Sequence, residues 1–156
     1  MATTNSALIT QSAQMGLGKK VLSAVVAALN EGNIIHALDE FGEEFKLIDH
    51  ALELEFNDKA RLGEFLHKSH ELFPDARLEL MAIFECGSHV IAEWSLAVTH
   101  VELFWLGRER RVRRSLLGIS VVGITDGRIS EWSDYYDKLT ARRGRLADFF
   151  TEWTEQ

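Results

Sequence analysis

The spacing of apolar residues changes near residue 76 of this chain, and that change strongly constrains what it can fold into. Up to about residue 72, apart from an alternating stretch at 45–52, apolar positions recur every three or four residues, which predicts helices. From residue 76 to residue 137 they mostly alternate, which predicts strands joined by tight turns. Helices followed by an antiparallel meander indicate an α+β fold, with the helices packed on one face of a curved sheet.

The predicted elements follow from this spacing and from the Gly, Pro and Asp residues that interrupt it. Helices are predicted at 17–32, 34–41, 58–72 and 139–153, and strands at 45–52, 76–85, 90–104, 110–125 and 129–137. The predicted organisation is a flexible N-terminal arm over residues 1–15, one domain over 16–138, and an added C-terminal helix over 139–156. At 156 residues, the chain has the length of a single domain.

Residues 116–124 are apolar on both faces of their predicted strand. One face would meet the helices, and the other needs a second cover. We expect that cover to be a second copy of the chain, so that a homodimer forms through the outer face of the sheet.

The overall charge argues against nucleic acid as a partner, because the chain carries a net charge of −7 and has an isoelectric point near 5.4. Five arginines between residues 108 and 114 are interpreted as a solvated, salt-bridged hairpin end. A single cysteine, Cys86, fits a reducing compartment. Residues 1–14 do not resemble a signal peptide, and no apolar stretch is long enough to cross a membrane. The prediction is a cytoplasmic protein with no membrane partner.

The last predicted strand carries the clearest sign of chemistry. Trp132, Asp134 and Tyr136 alternate, so their side chains lie on one face. A carboxylate between two aromatic rings is a poor choice for core packing, because its burial costs several kcal/mol unless it is paired or hydrogen-bonded. Asp134 is therefore the first candidate catalytic residue.

The order of elements, together with the local sequences at 26–33, 47–50, 73–75, 94–100 and 127–137, resembles one known family. It is similar to the SnoaL-like branch of the nuclear-transport-factor-like superfamily, which includes polyketide cyclases, ketosteroid isomerases and limonene-epoxide hydrolases. The resemblance implies a cone, in which a strongly bent sheet wraps around the helices and leaves an apolar pocket at its open end. It does not imply one activity, since such folds host many chemistries.

Within this resemblance, Asp49 falls where ketosteroid isomerases carry their general base. An apolar pocket would raise the pKa of Asp49 and suit it to proton transfer. The alternative is a surface acid that begins a turn with His50. The tyrosine and the second acid of those isomerases correspond to Val25 and Ser120, so steroid isomerisation is disfavoured.

Asp134 falls on an acid that limonene-epoxide hydrolases keep in a similar segment. The arginine and acid that those enzymes place on the long strand correspond to His100 and Glu102, and two further polar helpers correspond to Leu47 and Asp49. Epoxide hydrolysis is therefore a minority interpretation. His100 is a candidate proton shuttle, because a histidine beside a carboxylate commonly moves protons, and its alternative is an inert, hydrogen-bonded histidine.

Strand alternation predicts which side chains would line the pocket. The predicted catalytic residues are Asp134, Asp49 and His100, and the predicted substrate-binding residues are Trp94, Trp132, Tyr136, Leu47, Ser120 and Glu102. His67 and His70 lie three residues apart on a predicted helix, but no further ligand accompanies them, and a solvated helix face is the better interpretation. No metal and no other cofactor is predicted.

These residues predict a cofactor-independent acid–base enzyme of cyclase, isomerase, dehydratase or hydrolase type, acting on a small and mostly apolar organic molecule. The alternative is a non-catalytic ligand-binding or dimeric assembly module of the same fold. In that module, one pocket acid would form a salt bridge with His50 or an arginine. In the enzyme, the pKa of at least one pocket acid would be raised.

Overall fold

A computed structural model describes residues 16–137, except for the side chains of His100 and of residues 102–105. The predicted N-terminal arm and C-terminal helix lie outside the described residues. The helices are α1 (Leu17–Asn30), α2 (Ile34–Asp39) and α3 (Lys59–Leu72). The strands are β1 (Phe41–Asp49), β2 (Leu54–Phe56), β3 (Arg77–Cys86), β4 (His89–Phe104), β5 (Arg108–Thr125) and β6 (Arg128–Tyr136).

The six strands form one curved sheet in the order β2-β1-β6-β5-β4-β3, and the predicted α+β class is confirmed. Among the described strands, β1 and β6 pair in parallel, and the other pairs are antiparallel. A parallel pair requires a long connection, which α3 and the intervening strands provide. Irregular register between Leu80 and Ala82, and between Gly123 and Ile124, adds local bends to the sheet.

The second helix is shorter than predicted. Helix α2 ends at Asp39, and Phe41 begins β1 instead of extending the helix. The Phe41 ring packs against Phe45 and stacks on Trp132, with centroids 5.0 and 6.0 Å away. Packing against the sheet therefore outweighs the helical spacing that first suggested a longer helix.

Helix α1 is capped from a distant strand. No side chain of its own caps it, and its first residues follow Gly16, which adopts a left-handed conformation (φ 108°). The Glu85 carboxylate on β3 accepts hydrogen bonds from the backbone N–H groups of Gly16 and Lys19, at 2.5 and 2.7 Å. A negative charge at this end also suits the helix dipole, so Glu85 joins α1 to the sheet. Helix α3 is capped by Asp58, which accepts a hydrogen bond from the backbone N–H of Arg61 at 2.8 Å.

The helices and the concave face of the sheet enclose the core. Large side chains with less than 2 % exposure include Leu22, Leu52, Phe56, Leu62, Val90, Val122 and Ile129. Ser120 is the buried polar residue of the described chain, at 1 % exposure. A hydroxyl at that depth needs hydrogen-bond partners, which the site below supplies.

The convex face of the sheet keeps several apolar side chains exposed. They are Phe84, Ile91, Leu117, Ile119 and Tyr135, and we call this set the outer patch. The expectation that a second copy covers this face stays a prediction. Within residues 16–137, no helix is both long and apolar enough to span a membrane.

Candidate active site

A cavity of about 290 Å³ lies between the helices and the concave face of the sheet, and its lining is mostly apolar. All the predicted site residues whose side chains are described lie on its wall. They are Leu47, Asp49, Trp94, Ser120, Trp132, Asp134 and Tyr136. The other two, His100 and Glu102, have their backbones in β4 opposite Val112 and Arg110, but their side chains lie outside the described part of the chain.

Strand register brings three polar residues together at the cavity wall. Asp134 on β6 is the register partner of Asp49 on β1 and also of Ser120 on β5. Register partners on adjacent strands point to the same face of a sheet, so the two carboxyl groups and the hydroxyl converge. No other feature of the fold is needed to bring these groups together.

The hydrogen bonds around Asp134 are all directed towards its carboxyl group. The Trp94 indole N–H donates to Ser120 Oγ at 2.8 Å, and the Ser120 hydroxyl donates to Asp134 Oδ1. The Trp132 indole N–H donates to the same Oδ1 at 2.7 Å. Because an indole N–H can only donate, Trp94 leaves the Ser120 proton to point at Asp134. No described group donates to the second oxygen, Oδ2.

Asp49 has two donors, one on each carboxyl oxygen. The Tyr136 hydroxyl donates to Oδ2 at 2.5 Å, and the Leu52 backbone N–H donates to Oδ1 at 2.8 Å. Asp49 therefore both begins the turn after β1 and lines the cavity, so the two interpretations of this residue are compatible. His50 forms no salt bridge with Asp49 or Asp134 in the described residues, although its charge lowers the pKa of Asp49. Its ring stacks on Tyr135, with centroids 4.4 Å apart.

The surroundings raise the pKa of both acids. Burial raises the pKa of Asp134 to about 7, the hydrogen bonds from Ser120 and Trp132 oppose that rise, and the charge of Asp49 adds to it. Burial also raises the pKa of Asp49, against the lowering effect of the hydrogen bonds from Tyr136 and Leu52. The pKa of Tyr136 is raised by burial and by the Asp49 charge, which keeps its hydroxyl protonated as a donor.

Among the described residues, no salt bridge involves Asp49 or Asp134. No group of three or more His, Cys, Asp or Glu side chains in the same residues is arranged to hold a metal ion. His67 lies 3.9 Å from Glu71 on the exposed side of α3, as a solvated helix face requires. His70 is half-buried and lines the cavity, so that interpretation is wrong for His70. In the described part of the chain, the groups that donate hydrogen bonds to the two acids are therefore all neutral.

Gly118 and Arg114 lie on the cavity side of β5 and were not among the predicted site residues. A Cβ on Gly118 would lie 2.2 Å from a Trp94 ring carbon, so the absence of a side chain there makes room for the indole. Arg114 also lines the cavity. Both lie at every second position of the strand together with Leu116 and Ser120. Strand alternation was therefore the signal that could have placed them on the cavity side.

Ser120 was predicted to bind substrate. Its 1 % exposure and its two hydrogen bonds favour a different task, which is to orient and polarise Asp134. Trp94 acts on Asp134 through the same serine.

Solved structures with a similar fold share little sequence with this chain. A candidate SnoaL-like polyketide cyclase from Shewanella denitrificans superposes with a TM-score of 0.68 and 14 % identity, covering 86 % of this chain and 97 % of its own. An LEH-like epoxide hydrolase from M. tuberculosis gives 0.65 and 15 %, covering 89 % and 92 %. TerC, co-crystallised with polyporic acid, gives 0.67 and 18 %, covering 90 % and 99 %.

At these identities the likeness establishes the fold alone. A search of curated proteins found no match to the sequence. The sequence model of the SnoaL-like domain matches residues 22–132, which is more than half of the chain and includes Asp49 and Ser120. The chain therefore belongs to the SnoaL-like domain family.

Proposed function

We propose that this protein is a cofactor-independent acid–base enzyme that acts on a small, mostly apolar organic molecule, with Asp134 as the group that transfers the proton. One observation carries the proposal. Asp134 and Asp49 are register partners on the wall of an apolar cavity, and burial raises the pKa of Asp134 to about 7. A carboxyl group with a pKa near neutrality can both accept and donate a proton at physiological pH.

The two acids are expected to divide the charge between them. Tyr136 and the Leu52 backbone N–H stabilise Asp49 as the carboxylate. A second charge beside it is unfavourable, so the proton of the pair resides mainly on Asp134. Since Oδ1 of Asp134 already accepts two hydrogen bonds, the proton is carried by Oδ2. Oδ2 is thus the atom proposed to exchange a proton with the substrate.

Several reactions need only this exchange. The Asp134 carboxylate can remove a proton from a carbon next to a carbonyl group, and the protonated acid can give a proton to a carbonyl or epoxide oxygen. His100 is proposed to return the proton or to polarise the carbonyl group. Cyclisation, isomerisation, dehydration and hydrolysis all fit this set. The relatives named as a polyketide cyclase and an epoxide hydrolase are compatible with it, but at 14–15 % identity they do not select among these reactions.

The test is proton exchange in heavy water. The wild-type protein is incubated with a panel of aromatic and aliphatic ketones, and the loss of α-proton signals is followed by NMR. Exchange catalysed by the wild type should fall about 10²-fold or more in Asp134→Asn, the range expected for loss of a general acid or base. Glu93→Gln is the matched control, because Glu93 is an exposed acid on the opposite face of the sheet.

Equal exchange by Asp134→Asn and wild type would contradict the assignment of Asp134. If ketones bind to the cavity and none of them undergoes exchange, the non-catalytic ligand-binding module is the correct alternative. Saturation-transfer NMR on the same samples reports that binding.

A further inference from the structure

The cavity side of β5 is arranged in layers from the acids outward. Ser120 is level with Asp134, and the next cavity residue, Gly118, is level with Tyr136 and Trp94. Leu116 follows, paired with Leu96. Six residues from Ser120 along β5, Arg114 pairs with Val98.

Along β5, the two acids and Arg114 are therefore separated by an apolar section. At roughly 3.3 Å per residue, Arg114 and Ser120 are about 20 Å apart along the strand. Leu116 and Leu96 line the wall between the two ends. A molecule that touches both ends must have an elongated apolar body.

Arg114 gives the cavity one permanently positive side chain. It is the one arginine among the described lining residues, which include no lysine. It is half-buried and pairs in register with Val98, which is 6 % exposed. Its neighbour Arg113 points the other way and donates to Asp75 at 2.9 Å on the exposed side. Arginine on an apolar wall is well suited to bind a planar anion through paired N–H donors.

The opposite end of the cavity disfavours the same anion. Asp49 carries the negative charge of the acid pair there, and like charges at short range repel strongly in a poorly solvated site. An anionic ligand would therefore bind in one orientation, with its charge at Arg114 and its uncharged end at the acids.

We propose that Arg114 determines substrate specificity by binding an anionic oxygen group, such as a carboxylate, enolate or phenolate. The substrate class is then an elongated, largely apolar or aromatic anion, with its reacting carbon near Asp134 and its charged end at Arg114. This inference rests on the proposed function, since it specifies the substrate of the same site.

The test uses two fluorescent probes with one skeleton. 1-Anilinonaphthalene-8-sulfonate carries a negative charge, and N-phenyl-1-naphthylamine is its neutral counterpart. Each is titrated into wild type, Arg114→Gln and Arg111→Gln. Arg111 lies on the same strand and is exposed on the other face, so Arg111→Gln makes the same charge change away from the cavity. Any binding to the outer patch is common to all three proteins.

Arg114→Gln should weaken binding of the sulfonate about tenfold or more, the loss expected for a charge-assisted pair. It should change binding of the neutral probe less than twofold, and Arg111→Gln should change neither. Equal effects of Arg114→Gln on both probes, or no effect on either, would overturn the inference and leave the proposed function intact. Failure of the wild type to bind either probe would overturn both, because the cavity would then not accept apolar ligands.

Discussion

Asp49 and Asp134 lie directly opposite each other on β1 and β6, so that two carboxyl groups share one wall of the cavity. Adjacent strands are about 4.8 Å apart, and at that distance the ionisation of one acid opposes the ionisation of the other. The charge of Asp49 indeed contributes to the raised pKa of Asp134. The two acids therefore titrate as a coupled pair.

Asp134→Asn is expected to stabilise the protein at pH 8 and to change its stability little near pH 4. Below the ordinary pKa of 3.8, the carboxyl is protonated in both the folded and the unfolded chain. As the pH rises towards 7, the unfolded chain releases this proton and the folded chain retains it, so the free energy of unfolding falls. The loss amounts to at most about 4 kcal/mol, at roughly 1.4 kcal/mol per pKa unit.

Urea unfolding of wild type and Asp134→Asn between pH 4 and pH 8.5 measures this effect. The wild type should lose stability across that window, and Asp134→Asn should have a flatter profile. Glu93→Gln should follow the wild type. A variant that is less stable than wild type at pH 8, with the same pH dependence, would make Asp134 a structural partner.

Ser120→Ala is expected to raise the pKa of Asp134 further. The change removes a donor that stabilises the carboxylate and leaves the Trp94 indole N–H without its acceptor. The cost in stability should be about 1–3 kcal/mol. Ser133→Ala, on the opposite face of β6, is the control for loss of a serine hydroxyl. An unchanged Asp134 titration in Ser120→Ala would contradict the orienting role of Ser120.

Glu85→Ala is expected to destabilise the fold by about 1–2 kcal/mol, because it removes the cap of α1. Glu85→Gln keeps an acceptor but not the charge, so its stability should fall between those of wild type and Glu85→Ala. Thermal unfolding of the three proteins makes the comparison. If Glu79→Ala, an exposed change on the same strand, lowers the stability by as much as Glu85→Ala, the loss cannot be attributed to the cap.

Ile119→Lys is expected to separate the homodimer that the sequence predicts. Ile119 is 46 % exposed on the outer patch, and a lysine there would place a charge inside the contact. Sedimentation should give twice the 17.7 kDa chain mass for wild type and for the control Glu71→Lys on α3, and the single mass for Ile119→Lys. A wild type that sediments as 17.7 kDa would show the dimer prediction to be wrong.

Much of this structure could be predicted from local patterns in the sequence. Alternation along β6 predicted that Trp132, Asp134 and Tyr136 share a face, because that property depends only on the strand itself. The start of α3 close to residue 58 was predicted for the same reason, and Asp58 is its cap. The three-residue strand β2 was not predicted, since it is too short for its spacing to be distinctive.

The remaining features depend on contacts between distant parts of the chain. The parallel pairing of β1 with β6 sets Asp49 opposite Asp134, and no local pattern specifies that register. Glu85 caps a helix 66 residues away in the chain. Arg114 belongs to a charged run that indicated a solvated hairpin end, although strand alternation assigns it to the cavity side.

The pKa of Asp134 is the quantity on which the proposed function most depends. Its side-chain carboxyl carbon can be followed by ¹³C NMR from pH 3 to pH 9, with Asp134→Asn to assign the signal. We expect a midpoint near 7 for Asp134, with a smaller shift of the Asp49 signal in the same range because the acids are coupled. A midpoint near 4 for Asp134 would contradict the proposed function, since the acid would then be ionised at neutral pH and could not act as the proton donor.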